Sequence, residues 1–262
     1  MEIGELVGRG RTSDVYAFGA GSVVKVPHAD VPRSWPEFEA GVTRAVGAHG
    51  VPAPIVRDVV TVEGRSAVVY ERIEGPSMWQ QMLDEPANAA QLTVMLANIQ
   101  RSLVSAGTPA GIPDLVDRLT RKINVASALS AAERLEAVDL VQRLPRGAAL
   151  LHGDLHPGNV LMGANGPVVI DWFDASIGHP VADFVRSSIL IQPERSVELR
   201  HLPGAHAGLL QTVHDTYLAE FAKELSERPV ELSLWQAVVA AGRLAEHAEQ
   251  DESGLLEIWA SR

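Results

Sequence analysis

The alternation of hydrophobic and polar residues predicts a strand-rich segment at the start of the chain. Residues 7–18 alternate on both sides of a glycine turn, and Gly19-Ala20-Gly21 closes a hairpin into a strand at 22–26. Two further strands are predicted at 55–62 and 66–72, joined by a turn at Glu63-Gly64-Arg65. The spacing therefore favours an antiparallel sheet in this part of the chain.

One helix interrupts these strands. Apolar residues recur at helical spacing between 36 and 48 and place Phe38, Val42, Ala45 and Val46 on one face. Pro52 and Pro54 end the pattern, and Glu74-Gly75-Pro76 has the composition of a hinge. Residues 1–75 are therefore predicted to form a small N-terminal lobe, with its hinge at 70–76.

Residues 76–262 have mainly helical periodicity and are predicted to form a larger C-terminal lobe. Ser130 followed by Glu133 is a capping box, which marks the start of a helix. A hairpin at 150–174 interrupts the helices, so the predicted class is α+β. The predicted helices are 77–84, 87–106, 113–127, 130–144, 181–191, 205–226 and 231–259.

The hairpin carries a set of oxygen-bearing side chains. The stretch Leu150-Leu151-His152-Gly153-Asp154-Leu155-His156-Pro157-Gly158-Asn159 is followed by the β-branched run Val168-Val169-Ile170 and then by Asp171. In a phosphoryl transfer the first aspartate can accept the proton of an attacking hydroxyl. The asparagine and the second aspartate can bind Mg²⁺, which prefers oxygen ligands. Asp154 is thus the predicted catalytic residue, and Asn159 and Asp171 are the predicted metal ligands.

His152 and His156 have the i, i+4 spacing of zinc ligands on a helix. Gly153, Pro157 and Gly158 do not allow a helix that would bring both imidazoles to one face. We therefore expect His152 to order the turn before Asp154.

Composition limits the classes of function. The formal charge is −11, with 22 basic and 33 acidic side chains, which argues against nucleic acid as a partner. The chain has no cysteine, no apolar run long enough to cross a membrane and no signal-peptide pattern at its start. A cytoplasmic enzyme that acts on neither nucleic acid nor membrane is the expectation. Residues 1–75 hold eight basic and ten acidic side chains, so most of the negative charge lies in residues 76–262.

Two features of the N-terminal segment suit a nucleotide. Gly8 and Gly10 at the first turn would let backbone N–H groups approach phosphate oxygens, with Ser13 or Thr12 as a possible hydroxyl donor. The same residues are equally consistent with an ordinary turn. Lys25 is the only lysine in the first 121 residues and lies in an apolar strand, where a fixed positive charge suits nucleotide phosphates.

The motif HGDLHPGNVL at 152–161, followed by VIDWFD at 169–174, resembles the signature of the aminoglycoside phosphotransferase and choline kinase family. This resemblance implies a bilobal protein-kinase-like fold. It also implies that Lys25 pairs with a glutamate of the N-terminal helix, for which Glu39 fits best and Glu37 is the alternative. The segment 70–75 resembles the connection between the lobes, where backbone groups of Glu71 and Ile73 would bind a purine next to Tyr70.

The resemblance further implies a Mg²⁺-dependent kinase that transfers the γ-phosphate of ATP or GTP to a hydroxyl of a small molecule. An aminoglycoside or a similar cationic antibiotic is the first expectation for the acceptor. A metabolite kinase for choline, a sugar or homoserine, or a nucleotide-binding pseudokinase, is the alternative. Acidic groups near the end of the chain are expected to receive the ammonium groups of the acceptor. They are Glu246, Glu249, Asp251, Glu252 and Glu257.

Overall fold

The computed structural model describes residues 3–193, 207–226, 229–246 and 251–262. The chain forms two compact units. The first comprises residues up to 78 together with 109–112 and 158–174, and the second comprises 79–108, 113–157 and 175–262.

The first unit is built on a five-stranded antiparallel sheet with the order β1-β2-β3-β5-β4. Its strands are β1 (Ile3–Arg9), β2 (Ser13–Phe18), β3 (Ser22–Pro27), β4 (Val56–Val62) and β5 (Arg65–Glu71). Alternate residues of β5 face opposite sides, as a pleated strand requires. Ala67 and Val69 join one apolar cluster, whereas Val68 and Tyr70 join a second cluster with Ala40 of the following helix.

Helix α1 (Trp35–Ala48) packs on this sheet, and Pro36 occupies its first turn, where proline is well tolerated. The predicted face is only partly correct. Val42 and Val46 are buried as expected, whereas Phe38 is half-buried. The buried face also contains polar side chains, among them Glu39. The carboxyl group of Glu39 is therefore in the interior of the unit.

The hairpin of β7 (Val160–Gly163) and β8 (Gly166–Val169) belongs to the first unit, although its sequence position lies among helices. Two backbone hydrogen bonds account for this: the Met162 N–H donates to the Pro76 carbonyl (2.8 Å), and the Val169 N–H donates to the Pro52 carbonyl (2.7 Å). These partners are far away in sequence, so local patterning does not reveal the grouping.

Where its residues are described, the second unit is helical apart from the strand pair β6 (Ala149–Leu151) and β9 (Ser176–Gly178). The predicted capping box is confirmed, because Ser130 and Glu133 exchange side-chain-to-backbone bonds at the start of α5 (Ala131–Arg143). The core is a large apolar cluster that includes Trp235 and Trp259. Helix α2 (Met78–Asp84) begins at the last residue of the first unit. The helices that follow it are α3 (Ala89–Ser105), α4 (Leu115–Val125), α5 (Ala131–Arg143), α6 (Pro180–Leu190), α7 (Ala207–Ser226), α8 (Pro229–Arg243) and α9 (Glu252–Ala260).

The prediction of one helix over 231–259 is wrong. Helix α8 ends at Arg243 and continues as a 3₁₀ turn over Leu244–Glu246, and α9 is a separate helix. Residues 247–250 lie outside the described part of the chain. Glu246 pairs with Lys122 and Arg186, and Asp251 pairs with Arg243, and helical periodicity carries no information about these contacts.

The predicted α+β class is confirmed, with the five-stranded sheet at the N-terminus and the helices after it. Within the described residues, no helix has both the length and the apolar character that crossing a bilayer requires.

Candidate active site

Lys25 lies at the centre of a charged cluster in the first unit. Its Nζ is 2.7 Å from Glu39 Oε1 and 3.1 Å from Asp171 Oδ1. The predicted pair with Glu39 is therefore present, whereas the alternative, Glu37, is exposed. Strand β3 supplies the lysine, helix α1 the glutamate and the end of the β7–β8 hairpin the aspartate. Three separate elements thus converge on one ammonium group.

The charges of this cluster influence one another strongly. Burial alone would lower the pKa of Lys25, but Asp171 and Glu39 outweigh it and raise that pKa above its usual range. Burial also raises the pKa of Glu39, an effect that Lys25 opposes and Asp171 reinforces. Lys25 thus remains a cation that faces two carboxyl groups.

Tyr70 adds a contact that the sequence did not predict. Its hydroxyl donates to Glu39 Oε1 at 3.1 Å, so the glutamate is held by both Lys25 and Tyr70. Burial and the negative charge of Glu39 raise the pKa of Tyr70 well above its usual value, so the phenol stays protonated and remains a donor. The ring therefore supports the charged cluster.

Asp171 adopts an uncommon backbone conformation, with φ at 64°. Non-glycine residues rarely occupy this left-handed region, and such outliers cluster at functional sites. The Ile170 N–H donates to the Asn159 carbonyl at 2.9 Å, which brings the two predicted metal ligands to the same end of one hairpin. The Asp171 side chain is 41% exposed, so a cation can reach it from solvent.

The donor set fits Mg²⁺ better than a transition metal. An amide oxygen and a carboxylate are hard ligands, and Mg²⁺ usually takes only one or two protein carboxylates alongside waters and substrate phosphates. Among the residues that the structure describes, no group of three or more His, Cys, Asp or Glu side chains is arranged to hold a metal. Asn159 and Asp171 are the residues that would hold Mg²⁺, which would neutralise charge on nucleotide phosphates.

The glycine turn lies between β1 and β2. The Gly10 N–H donates to the Ser13 carbonyl at 2.8 Å, and a Cβ at Gly10 would lie 3.1 Å from that oxygen. Gly8 is paired with Val15 in the sheet and has no comparably close neighbour. Ser13 is buried at the start of β2. A side chain at Gly10 would thus crowd the turn, and the Gly10 N–H is already used there.

The predicted purine-binding segment follows β5. The Glu71 N–H donates to the Ile55 carbonyl (2.9 Å), and its side chain accepts from the Ile55 N–H (2.9 Å). Within the described residues, no backbone partner is recorded for Ile73. The backbone of Glu71 is thus held to Ile55 on the strand side of this segment. A Cβ at Gly75, where φ is 149°, would lie 2.1 Å from the Met162 carbonyl oxygen, so this hinge position requires glycine.

Aromatic packing fixes the segment after Asp171. Trp172 is fully buried and its Nε1 donates to the Val169 carbonyl at 2.8 Å. The Phe173 ring lies 4.2 Å from Trp35 and 5.5 Å from Phe38, measured between ring centroids. The end of the hairpin that carries Asp171 is therefore anchored to α1, the helix that carries Glu39.

Asp154 lies in the second unit, in a turn held by buried polar groups. The N–H groups of His152 and Gly153 donate to Asp183 at 3.2 and 2.7 Å. The Asp154 N–H donates to Nδ1 of His152, which is fully buried. These contacts agree with the ordering role expected for His152, and Asp183 ties helix α6 to the turn.

Arg186 of α6 contacts Asp154 directly, with Nη2 at 2.8 Å from Asp154 Oδ1. The same nitrogen lies 2.9 Å from Glu246 Oε2. Burial would raise the pKa of Asp154, but Arg186 and His156 outweigh burial and the negative charge of Glu246, and lower that pKa to about 2. Asp154 is therefore ionised at every pH near neutrality.

The expectation for the acidic groups near the end of the chain needs correction. The Glu246 side chain is only 8% exposed and pairs with Lys122 as well as Arg186, and Asp251 is buried against Arg243. Neither carboxylate is placed to receive an ammonium group of a substrate. Glu249 lies outside the described residues, whereas Glu252 and Glu257 are exposed.

Arg186 was missed by the sequence reasoning, although a signal for it exists. It directly follows the run Val181-Ala182-Asp183-Phe184-Val185, in which Asp183 is the one polar residue. Arginine is almost never fully buried without a partner. A lone arginine on a helix this apolar therefore indicates a buried carboxylate opposite it.

The sequence matches the family model described as "Phosphotransferase enzyme family" over residues 4–215. A protein of Bacillus subtilis (strain 168) called "Uncharacterized protein YcbJ" is 44% identical over 43 residues, which are 16% of this chain and 14% of that protein. This match therefore spans well under two thirds of that relative's length.

Two solved structures are similar to this chain over nearly its full length. A thermostable mutant of aminoglycoside phosphotransferase APH(4)-Ia, in ternary complex with AMP-PNP and hygromycin B, has a TM-score of 0.66 at 16% identity, covering 99% of this chain and 93% of that one. The GDP complex of wild-type aminoglycoside 2'-phosphotransferase-IIIa has a TM-score of 0.56 at 19% identity, covering 100% and 92%. At such identities the likeness is one of fold.

Proposed function

Because the chain belongs to the phosphotransferase enzyme family, we propose that it is a kinase that transfers the γ-phosphate of ATP or GTP to a hydroxyl group of a small molecule. The observation that carries the proposal is the convergence of Lys25, Glu39 and Asp171 within 3.1 Å on elements from three parts of the chain. A cation fixed beside an exposed carboxylate suits a metal-bound triphosphate.

In this proposal the first unit binds the nucleotide. Lys25 contacts its phosphates, Asn159 and Asp171 hold Mg²⁺, and Ile73 and Glu71 offer backbone groups to the purine. Gly8, Gly10 and Ser13 lie at the turn that would cover the phosphates. Nucleotides in the two similar structures, AMP-PNP in one and GDP in the other, support a nucleotide as donor.

Asp154 has the role of proton acceptor. The acceptor hydroxyl would give its proton to the Asp154 carboxylate while its oxygen forms a bond to the γ-phosphorus. The bond from that phosphorus to the β–γ bridging oxygen breaks, and the electron pair leaves with the nucleoside diphosphate. With a pKa of about 2, the carboxylate is a weak base. Its main contribution is therefore to orient the hydroxyl, and the proton moves late, as expected for a loose transition state.

We further propose that the acceptor is a cationic, amine-bearing compound such as an aminoglycoside. The hygromycin B bound in the similar APH(4)-Ia structure supports this class. The excess of acidic residues in 76–262 is consistent with it, although Glu246 and Asp251 contribute nothing because they are paired internally. The attraction of an acidic surface for cations weakens when added salt screens the charges.

The test is a screen of hydroxylated compounds with ATP or GTP and Mg²⁺, scored by formation of a phosphorylated product. Asp154→Asn serves as the control for a contaminating kinase, since it should remove the activity. For the best acceptor, KM should rise with added salt while kcat changes little. A neutral or acidic best acceptor with a salt-independent KM would contradict the cationic class, and absence of transfer to every compound would contradict the kinase.

A further inference from the structure

Arg186 holds both the backbone and the side chain of the turn that carries Asp154. Its Nε donates to the Gly153 carbonyl at 3.1 Å, and its Nη2 lies 2.8 Å from Asp154 Oδ1 and 2.9 Å from Glu246 Oε2. Guanidinium is a rigid fork with several donors, so one side chain can make all three contacts at once. A lysine has a single nitrogen and could not reproduce this arrangement.

The contacts continue into further ion pairs within the second unit. Glu246 also lies 2.9 Å from Lys122 and 3.5 Å from Arg243, and Arg243 lies 3.3 Å from Asp251. The side chains of Arg186, Glu246, Arg243 and Asp251 are all at least 92% buried. With Asp154 and Lys122, three carboxylates face three cations. Burial of such groups is tolerated only when each charge is compensated, so the members depend on one another.

We propose that Arg186 is a positioning residue for Asp154 and that Glu246 in turn fixes Arg186, an inference that rests on the proposed function. The Arg186 contact to Oδ1 sets the orientation of the carboxylate, while its contact to the Gly153 carbonyl sets the backbone that presents it. Because Glu246 is buried against Arg186, this residue late in the chain supports the turn that carries Asp154.

The electrostatic consequence can be measured on the resting protein. The charged groups that face Asp154 within its unit are Arg186 of α6, His156 of the same turn, and Glu246 and Arg243 at the end of α8. Arg186 favours the ionised carboxylate, and Glu246 opposes it. Removing the arginine must therefore raise the pKa of Asp154, and removing the glutamate must not.

The first experiment is a titration of the Asp154 carboxyl carbon by NMR in protein labelled at aspartate, assigned by comparison with Asp154→Asn. Arg186→Met should raise the pKa by about 1–3 units, the usual effect of an adjacent arginine. Glu246→Gln should leave it at or below the parent value. The double variant Arg186→Met/Glu246→Gln removes one charge of each sign, so it should fold even if Arg186→Met does not, with a smaller rise.

The second experiment is the pH profile of kcat/KM for phosphate transfer. Arg186→Met and the double variant should acquire an acid limb at the pKa found by NMR. In Arg186→Lys the pKa of this limb should be shifted less. His156→Gln distinguishes an acid limb caused by Asp154 from one caused by His156. Arg101→Met is the matched control, because Arg101 forms an ion pair with Glu220 at 2.9 Å elsewhere in the same unit. It should leave the profile unchanged.

The possible outcomes separate the two proposals. An Asp154 pKa that stays at the parent value in the double variant would overturn the role of Arg186, as would a lower stability with no change in the pH profile. If the NMR pKa rises as expected but the parent transfers no phosphate, the proposed function fails while the electrostatic link between Arg186 and Asp154 stands.

Discussion

Each unit contains a charged cluster with an aspartate, and the two aspartates differ in their charged partners and in their exposure. Around Lys25 one cation faces the carboxyl groups of Glu39 and Asp171, and the Asp171 side chain is 41% exposed. Around Asp154 three cations face three carboxylates, and most of the set is buried. The difference fits the roles proposed above, a cation-binding carboxylate at Asp171 and a fixed carboxylate at Asp154.

This contrast matches the chemistry proposed for each aspartate. A carboxylate that binds Mg²⁺ gains most when the protein has not already neutralised it. A carboxylate that orients a hydroxyl must instead keep one position and one ionisation state, which a full set of partners provides. The two aspartates are thus distinguished by their surroundings, although both follow a hydrophobic strand.

The largest expected effect is that of Asp154→Asn on turnover. The amide keeps the shape of the side chain but cannot accept the proton, so kcat should fall by about 10²–10⁴-fold, the usual range for a positioned base. Nucleotide binding should be unchanged, because the Lys25 cluster is intact. Steady-state kinetics and calorimetric nucleotide binding check both parts, and near-normal turnover in a folded variant would refute the assignment.

Lys25→Met should have the next largest effect. It leaves Glu39 and Asp171 without a cation, which we expect to lower the free energy of unfolding by about 3 kcal/mol and to weaken nucleotide binding. Lys25→Met/Glu39→Gln is the matched control, because it removes the buried carboxylate as well. Urea unfolding should show that the double variant regains stability, while calorimetry should show no regain of nucleotide binding. Full activity in Lys25→Met would mean that the lysine has a packing role only.

Tyr70→Phe tests the hydroxyl that supports Glu39. Loss of a buried donor to a carboxylate should cost about 1–2 kcal/mol of unfolding free energy. Tyr16→Phe is a matched control in the same sheet, since the Tyr16 hydroxyl contacts Asp14 at 3.4 Å and that contact is only partly buried. Equal losses in urea unfolding of the two variants would show that Tyr70 has no special role in the cluster.

The smallest effect concerns acid stability. The pKa of Asp154 is about 2 in the folded protein and near 3.8 when unperturbed, so its contribution to stability is present above pH 4 and is lost as pH falls toward 2. Between pH 5 and pH 3 the parent should lose about 1 kcal/mol more than Asp154→Asn in urea unfolding. Equal losses would mean that Arg186 does not depress the pKa of Asp154.

Local patterns were sufficient for part of this molecule. Strand alternation located β3 and β5, and the Ser130 capping box marked the start of α5 to the residue. The pairing of Lys25 with Glu39 was expected from the family resemblance and not from a local pattern, and the structure contains that pair.

The rest depends on contacts between distant segments. Arg186 and Glu246 are 60 residues apart, and Tyr70 and Glu39 are 31 apart, so no local period links them. The end of α8 was missed for the same reason. Its last turns contain good helix formers, and Gly242, which packs tightly on Leu119, is the main local departure from them.

The most direct test of the account is the Mg²⁺ dependence of AMP-PNP binding, measured by calorimetry in the parent, Asp154→Asn and Asp171→Asn. Asparagine tolerates the left-handed backbone at position 171, so this variant removes charge without adding strain. The account predicts that Mg²⁺ strengthens binding in the parent and in Asp154→Asn, but not in Asp171→Asn. An Asp171→Asn variant that responds to Mg²⁺ like the parent would contradict it.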